Sequence, residues 1–285
     1  MVNVLDIRRR IRSVRNTQQI TKAMKMVSAA KLRRAQEAVF NARPYASQIL
    51  KVLKSLTTRS QGKLHPLLEQ RKEAKIQMMV ITGDKGLCGA FNTNILKKTE
   101  EFIDNNQDKS VSLFCVGRKG RDYFLKRETP IKQQLVSLFH RVEYSHALQI
   151  TEKLISQFVS QEVDAIYLLY NEFKSVIQQR IVVERLLPIP KLEPSSHESL
   201  IDYIYEQPAG EILATLMPKH LEVQVYRALL ESSAAEHGAR MTAMDSATNN
   251  AVDMIESLTL TMNRARQAGI TNEIIEVVSG AAALK

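Results

Sequence analysis

The stretch ITGDKGLCGAFN, residues 81–92, sets glycines at 83, 86 and 89 between an apolar run and a helix-like segment. That is the setting in which glycine-rich loops wrap backbone N–H groups around phosphates. The spacing matches neither GxGxxG nor the GxxxxGK phosphate loop, and Lys85 precedes the place a phosphate-loop lysine would take. A tight turn, with glycines letting a helix pack closely on a strand, accounts for these residues better. Other chemistry-bearing types are scattered. Of the six histidines (His65, His140, His146, His197, His220, His237), only His140 and His146 are close, and not at ligand spacing. Cys88 and Cys115 form no CxxC and have no histidines beside them to complete a zinc site. There is no GxSxG and no HExxH, and acid pairs such as Glu100 and Glu101 read as solvated helix faces. These patterns give catalysis little support, and neither a metal nor a cofactor is expected.

The surrounding elements form an unusual order. The first glycine is Gly62 and the only proline before it is Pro44, so residues 3–57 read as one helix, with a bend possible at Pro44 where a backbone donor is lost. At 1.5 Å per residue such a helix would reach about 80 Å, far more than a globular domain of this size needs. Its apolar stripe starts narrow (Val4, Ile7, Ile11, Val14), fades at Gln18 and Thr21, and resumes around Ile20, Met24 and Val27, which suits a partner helix better than a globular core. From about residue 75 the pattern changes. KIQMMVIT and SVSLFCVG are short apolar runs, followed by helix-like stretches at 89–106 and 117–127; a further helix near 145–161 leads to AIYLLY and RIVVERLLPI. Strands alternating with helices imply an α/β layer with a largely parallel sheet, and the last two strands in succession imply one antiparallel pairing. PIPKLEPSSHES, residues 188–199, reads as a loop. Beyond Pro208 the helical pattern returns, broken only by Pro218, with a stripe at Met244, Ala247, Ala251, Met254, Leu258, Met262 and Ala265. The expected architecture is an antiparallel two-helix coiled coil (1–60 and 208–285) around a central α/β domain (70–200). A compact body with both helices folded across the sheet is the alternative.

Charge sharpens that reading. The chain has 285 residues and a formal net charge of +10. Residues 1–43 hold eleven Lys/Arg against Asp6 and Glu37, a net of +9, and leave the rest of the chain close to neutral. Residues 208–285 carry six bases and nine acids, so a basic and a mildly acidic helix make a complementary pair. A nucleic-acid binder would interleave aromatic residues with the bases, and residues 7–36 contain none. A membrane-surface helix would oppose the charge with bulky apolar residues, where this segment has Ala, Ser and Thr. An acid-poor, Arg-rich start is also compatible with a transit peptide, although the helical pattern runs past any usual cleavage point. No apolar run approaches the ~20 residues of a membrane span.

Several long stretches in order resemble one family, the gamma subunit of F-type ATP synthase. They are RRRIRSVRNTQQITKAMKMVSAAKLRRAQ near the N-terminus, ITGDKGLCGAFNTNI in the centre, and DYIYEQPAGEIL, LESSAAEHGARMTAMDSATNNA and LTLTMNRARQAGITNEIIEVVSGAAAL towards the C-terminus. The resemblance implies a Rossmann-like central domain and a coiled coil that turns inside a ring of three alpha and three beta subunits. It also implies an epsilon subunit and the membrane c-ring as partners, no chemistry in the chain itself, and no nucleic acid. Carried over position by position, Lys22, Met24, Lys25 and Arg33 are implied to approach acidic beta-subunit segments, and Arg240, Arg266, Gln267, Thr271 and Glu273 to make polar contacts with the ring. The small residues of SGAAALK fit a close sleeve. Gly238 and Gly269 stand where the family commonly has alanine, which implies a locally softer helix. Because the resemblance starts at the first residues, the expected setting is the cytoplasmic face of a bacterial plasma (inner) membrane, with the protein peripheral to it.

Overall fold

The computed structural model describes residues 4–59, 65–176, 178–189 and 209–283. Gly62 and residues 190–208, which include most of the proline-rich stretch, lie outside the described residues. In chain order the elements are α1 (Val4–Arg59), β1 (Lys75–Ile81), α2 (Phe91–Asp104), β2 (Ser110–Val116), α3 (Arg118–Leu125), β3 (Ile131–Leu135), α4 (Tyr144–Val159), β4 (Ala165–Phe173), β5 (Gln179–Leu187) and α5 (Ala209–Ala283). The helix runs through Pro44 in α1 and Pro218 in α5. Contacts group the chain into two compact units: Met1–Ser28 with Met241–Lys285, and Ala29–Arg240.

The larger unit holds a five-stranded sheet in the order β3-β2-β1-β4-β5. Strands β1 to β4 pair in parallel and β5 returns antiparallel to β4. β1 and β2 are buried on both faces, which is why they read as unbroken apolar runs rather than alternating ones. On one face α2 and α3 pack through Ile95, Leu96 and Phe124 against Met78, Val80, Leu113 and Leu169. On the other, α4 contributes Ile150, Leu154 and Phe158, together with Ile49 and Leu53 of α1 and Leu221, Val225 and Leu229 of α5. In this unit α5 is enclosed on all sides from Ala228 to Gly238, where its residues are mostly small. The sequence pattern passed over β3. IKQQL has apolar residues only at its ends and lies at the sheet edge, half exposed, so it carries little of the apolar signal by which strands are recognised.

In the smaller unit the two helices run antiparallel. Thr21 meets Thr248 and, four residues on, Lys25 meets Asp245. Among the buried and half-buried positions, Ile7, Ile11, Val14, Gln18, Thr21, Lys25 and Ser28 of α1 follow alternating steps of four and three, and Met244, Thr248, Ala251, Ile255, Leu258, Met262 and Ala265 of α5 follow the same alternation. This is the 3.5-residue repeat of a coiled-coil seam. It corrects two expectations. The α1 stripe does not fade at Gln18 and Thr21; the seam passes through them, and Ile20 and Val27, about 60% exposed, point away from it. On α5, Ile255 lies on the seam and Met254 is exposed. Apolarity alone had drawn the stripe toward the nearest large side chains, while the packing follows the repeat.

Candidate functional site

In the smaller unit the seam is partly polar. The Thr21 and Thr248 hydroxyls lie 2.8 Å apart, and each also reaches the carbonyl of its own preceding turn, at Gln18 and Met244. A polar layer in a coiled coil favours one register over its neighbours at some expense of stability. Lys25 Nζ donates to Asp245 Oδ1 at 2.5 Å, with both side chains over 40% exposed, so the pair contributes no more than about 1 kcal/mol. Counting from these pairs, Val4 falls opposite Ala265 and Arg266, and α5 continues to Ala283 beyond it. Residues 270–281 are exposed throughout.

The outward faces of this unit carry two kinds of side chain. Arg8, Arg9, Arg10, Arg12, Arg15 and Lys22 fan around α1 on every side but the seam. Between them stand exposed Ile20, Met26 and Val27, and on α5 Leu260, Ile270, Ile274, Ile275, Val277 and Val278. Large apolar side chains exposed in this number mark a surface that meets other protein. Sequence reasoning missed them as contact candidates, and it places two of them, Ile20 and Val27, on the seam; their off-seam register in the heptad was the available signal.

The residues singled out by resemblance sit as follows. Lys22, Arg33, Arg266, Gln267, Thr271 and Glu273 are exposed, and Met24 and Lys25 are half-buried. Arg33 pairs with Glu37 on its own helix, and the Thr271 hydroxyl donates to the Gln267 carbonyl one turn back. Arg240 differs from the rest, being buried and bound inward. Its Nη2 donates to Glu236 Oε1 at 2.5 Å, and Nε and Nη2 donate to the Gly86 carbonyl at 3.4 and 3.3 Å. Its Nη1 stands 3.3 Å from His237 Nδ1. Burial, then Arg240 and Lys31, pull His237 down to about 4, so the ring is neutral and its Nδ1 accepts from the guanidinium. Burial pushes the Glu236 carboxyl up while Arg240 opposes the rise.

The ends of the parallel strands in the larger unit explain the glycine-rich turn. Asp84 Oδ1 accepts from the backbone N–H groups of Arg118, at 3.0 Å, and Ser137, at 2.9 Å. Arg118 opens α3 directly after β2, a position where an α/β fold commonly holds a phosphate. Here a carboxylate of the chain itself takes that place. Gly117 has φ of +93°, and a Cβ on it would lie 2.0 Å from the Thr82 carbonyl oxygen. Gly83 Cβ would lie 3.0 Å from the Glu236 carboxyl carbon. These glycines therefore serve close packing of strand, helix and α5. His146 has a structural role too, accepting the Glu143 N–H in the capping box of α4. Among the described residues no group of three or more His, Cys, Asp or Glu could hold a metal ion, and no helix is long and apolar enough to cross a membrane.

Comparison with known proteins agrees along the whole chain. A family model described as ATP synthase matches residues 3–284. The ATP synthase gamma chain of Solibacter usitatus is 52% identical over 287 residues, covering 99% of each chain, and that of Geobacter metallireducens is 49% identical with both chains fully covered. Among solved structures, a central stalk/c-ring chain of the Tetrahymena thermophila mitochondrial ATP synthase matches at 28% identity and a TM-score of 0.62, covering 80% of this chain and 99% of that one. A chain of the Euglena gracilis mitochondrial ATP synthase, at 18% identity, shares the fold with a TM-score of 0.72 over 99% of this chain and 94% of that one. With a basic helix and an acidic helix wound antiparallel, a five-stranded α/β domain, and half-identical relatives of the same length, the chain belongs to the gamma chain family of ATP synthase.

Proposed function

We propose that this chain is the central-stalk rotor of an F-type ATP synthase, coupling ion flow through the membrane c-ring to ATP synthesis and hydrolysis in a ring of three alpha and three beta subunits. An epsilon-type subunit is its further partner, and it lies peripheral to the membrane on the cytoplasmic face of a bacterial plasma membrane. The observation that carries the reading is the C-terminal part of α5, which continues past Val4 with charged and apolar side chains exposed on every face. Such a helix has no use in an isolated chain and suits a sleeve that surrounds it. The chain performs no chemistry itself. Asp84 occupies the place an α/β fold would offer a phosphate, and the nucleotides belong to the ring.

A rotor transmits work only if its orientations make different contacts with each catalytic subunit, since a partner shifts a conformational equilibrium only by differential affinity. Basic side chains crowded on α1, and a larger share of exposed apolar side chains on α5, give the surface that asymmetry. Lys22, Met24, Lys25 and Arg33 on α1, and Arg266, Gln267, Thr271 and Glu273 on α5, are the contacts we assign to the ring. Among the described residues the exposed Arg266 has no ion-pair partner, so Arg266→Glu disturbs no ion pair there. It is expected to lower ATP-driven proton pumping per ATP hydrolysed by several-fold while the complex still assembles. Lys25→Glu also breaks the Asp245 pair, and the double variant with Asp245→Lys restores that pair. Continued loss of pumping in the double variant locates the contact of Lys25 in the ring; full recovery places its role within the coiled coil. Unchanged pumping in Arg266→Glu and Lys25→Glu contradicts both assignments.

A further inference from the structure

Residues 83–89 form a loop whose outward side chains include Lys85 and Leu87. Leu87 has φ of +61°, a left-handed backbone that leucine adopts rarely, and its side chain is 63% exposed. Packing of the side chain therefore does not hold that conformation. The two ends of the loop are pinned: Gly83 N donates to Asn92 Oδ1 at 2.9 Å, Asp84 receives the Arg118 and Ser137 N–H groups, and Asn92 Nδ2 reaches Cys88 Sγ at 3.2 Å. The middle is held at two carbonyls: Asn92 Nδ2 donates to Lys85 at 3.3 Å, and Arg240, from α5, donates to Gly86. A buried guanidinium in turn needs an anion, and Glu236, one turn earlier on α5, supplies it. Among the described residues Glu236 Oε2 has no hydrogen-bond partner, and a Cβ at Gly83 would stand only 3.0 Å from its carboxyl carbon. A residue chosen for stability alone would not leave a buried carboxylate half-satisfied.

We propose that Glu236 is a positioning residue for coupling: by fixing Arg240 against the Gly86 carbonyl it holds the 83–89 loop, with Lys85 and Leu87, in one conformation against the surrounding subunits. The proposal rests on the rotor reading for its functional consequence and on the geometry alone for its effect on the loop. It separates two roles that a simple ion pair would merge. Exchanging the residues, Glu236→Arg with Arg240→Glu, keeps opposite charges one helical turn apart, yet a carboxylate at 240 cannot donate to the Gly86 carbonyl.

The test uses amide hydrogen exchange on the full chain and hydrolysis and pumping on the assembled complex in membrane vesicles. For Glu236→Gln the expected results are at least tenfold faster exchange at the N–H groups whose hydrogen bonds the loop sets, Gly83, Phe91, Arg118 and Ser137, and at least threefold less pumping per ATP, with hydrolysis retained. The exchanged pair is expected to recover the melting temperature but not the loop protection or the pumping. Asn92→Ala, which releases the Gly83 N–H and the Lys85 carbonyl without touching the ion pair, is expected to lower pumping as Glu236→Gln does, and it serves if Glu236→Gln fails to fold. Wild-type exchange in Glu236→Gln, recovery of pumping by the exchanged pair, or wild-type pumping in Asn92→Ala would each overturn the proposal. Should the wild-type complex itself not link hydrolysis to pumping, the rotor reading fails, and the exchange data still decide what Glu236 does to the loop.

Discussion

Glycines at two positions of the same chain have opposite roles, and the difference is set by what a β-carbon would meet. At Gly238, inside α5, it would rest 3.5 Å from a Phe173 ring carbon and 3.6 Å from the Val176 carbonyl oxygen, ordinary contact distances. Gly238→Ala is therefore expected to stabilise the chain by about 0.5–1 kcal/mol, the helix-interior advantage of alanine over glycine, and denaturant unfolding measures it. At Gly83 the same atom would press on the Glu236 carboxyl, which is buried and cannot swing into water. Gly83→Ala should lose about 1–3 kcal/mol by overpacking. The sequence exposed Gly83 as part of a close-packed turn, because glycines recur there between strand and helix. It could not show what packed against it, since Glu236 lies 153 positions away in sequence. Arg240 illustrates the same limit: resemblance marked the residue, while its inward bonds to Glu236, His237 and Gly86 depend on tertiary packing.

Elements were legible where the apolar pattern was strong and misread where it was diluted. β1, β2, β4 and β5 appear as apolar runs, and the short link between β4 and β5 implied their antiparallel pairing. β3, an edge strand with three polar residues of five, left no such trace. The coiled-coil repeat was visible, yet its register was lost for one turn because Gln18 and Thr21 occupy seam positions while Ile20 and Val27 do not. The start of α3 carries a prediction of its own. Removing the carboxylate in Asp84→Ala leaves the Arg118 and Ser137 N–H groups without their acceptor, which should destabilise the larger unit by about 1–2 kcal/mol. The vacated position is a helix N-terminus suited to an oxyanion. Inorganic phosphate at tens of millimolar should then raise the melting temperature of Asp84→Ala by more than that of the wild type. Equal responses would mean that the loop rearranges and no anion site is left.

At the scale of the whole molecule, stability is expected to depend on pH through buried histidines. Burial holds His220 at about 4, and burial with Arg240 and Lys31 holds His237 at about 4, against an ordinary value of 6.5. The folded state keeps both rings neutral, so their contribution is intact above about pH 6.5. It is lost as pH falls toward 4, where the unfolded chain takes up protons that the folded chain refuses. Glu231 and Glu236, pushed up by burial, act in the opposite sense, favouring the folded state as they protonate. The histidine share is isolated by comparison with His220→Gln, whose denaturation midpoint should fall less steeply between pH 7 and 5. A variant slope equal to that of the wild type would show that His220 does not stay neutral in the folded chain.

A rotor must turn within its ring, and a bead fixed to the chain makes the turning visible. Cys88 and Cys115 are both buried, and burial pushes the Cys115 thiol to about 12, so a cysteine introduced at the exposed Lys153 of α4 would be the selective point of attachment for a bead. With the alpha and beta ring fixed to a surface, ATP is expected to drive the bead through repeated full turns in a single direction. A complex that hydrolyses ATP while the bead only fluctuates about one orientation would contradict it.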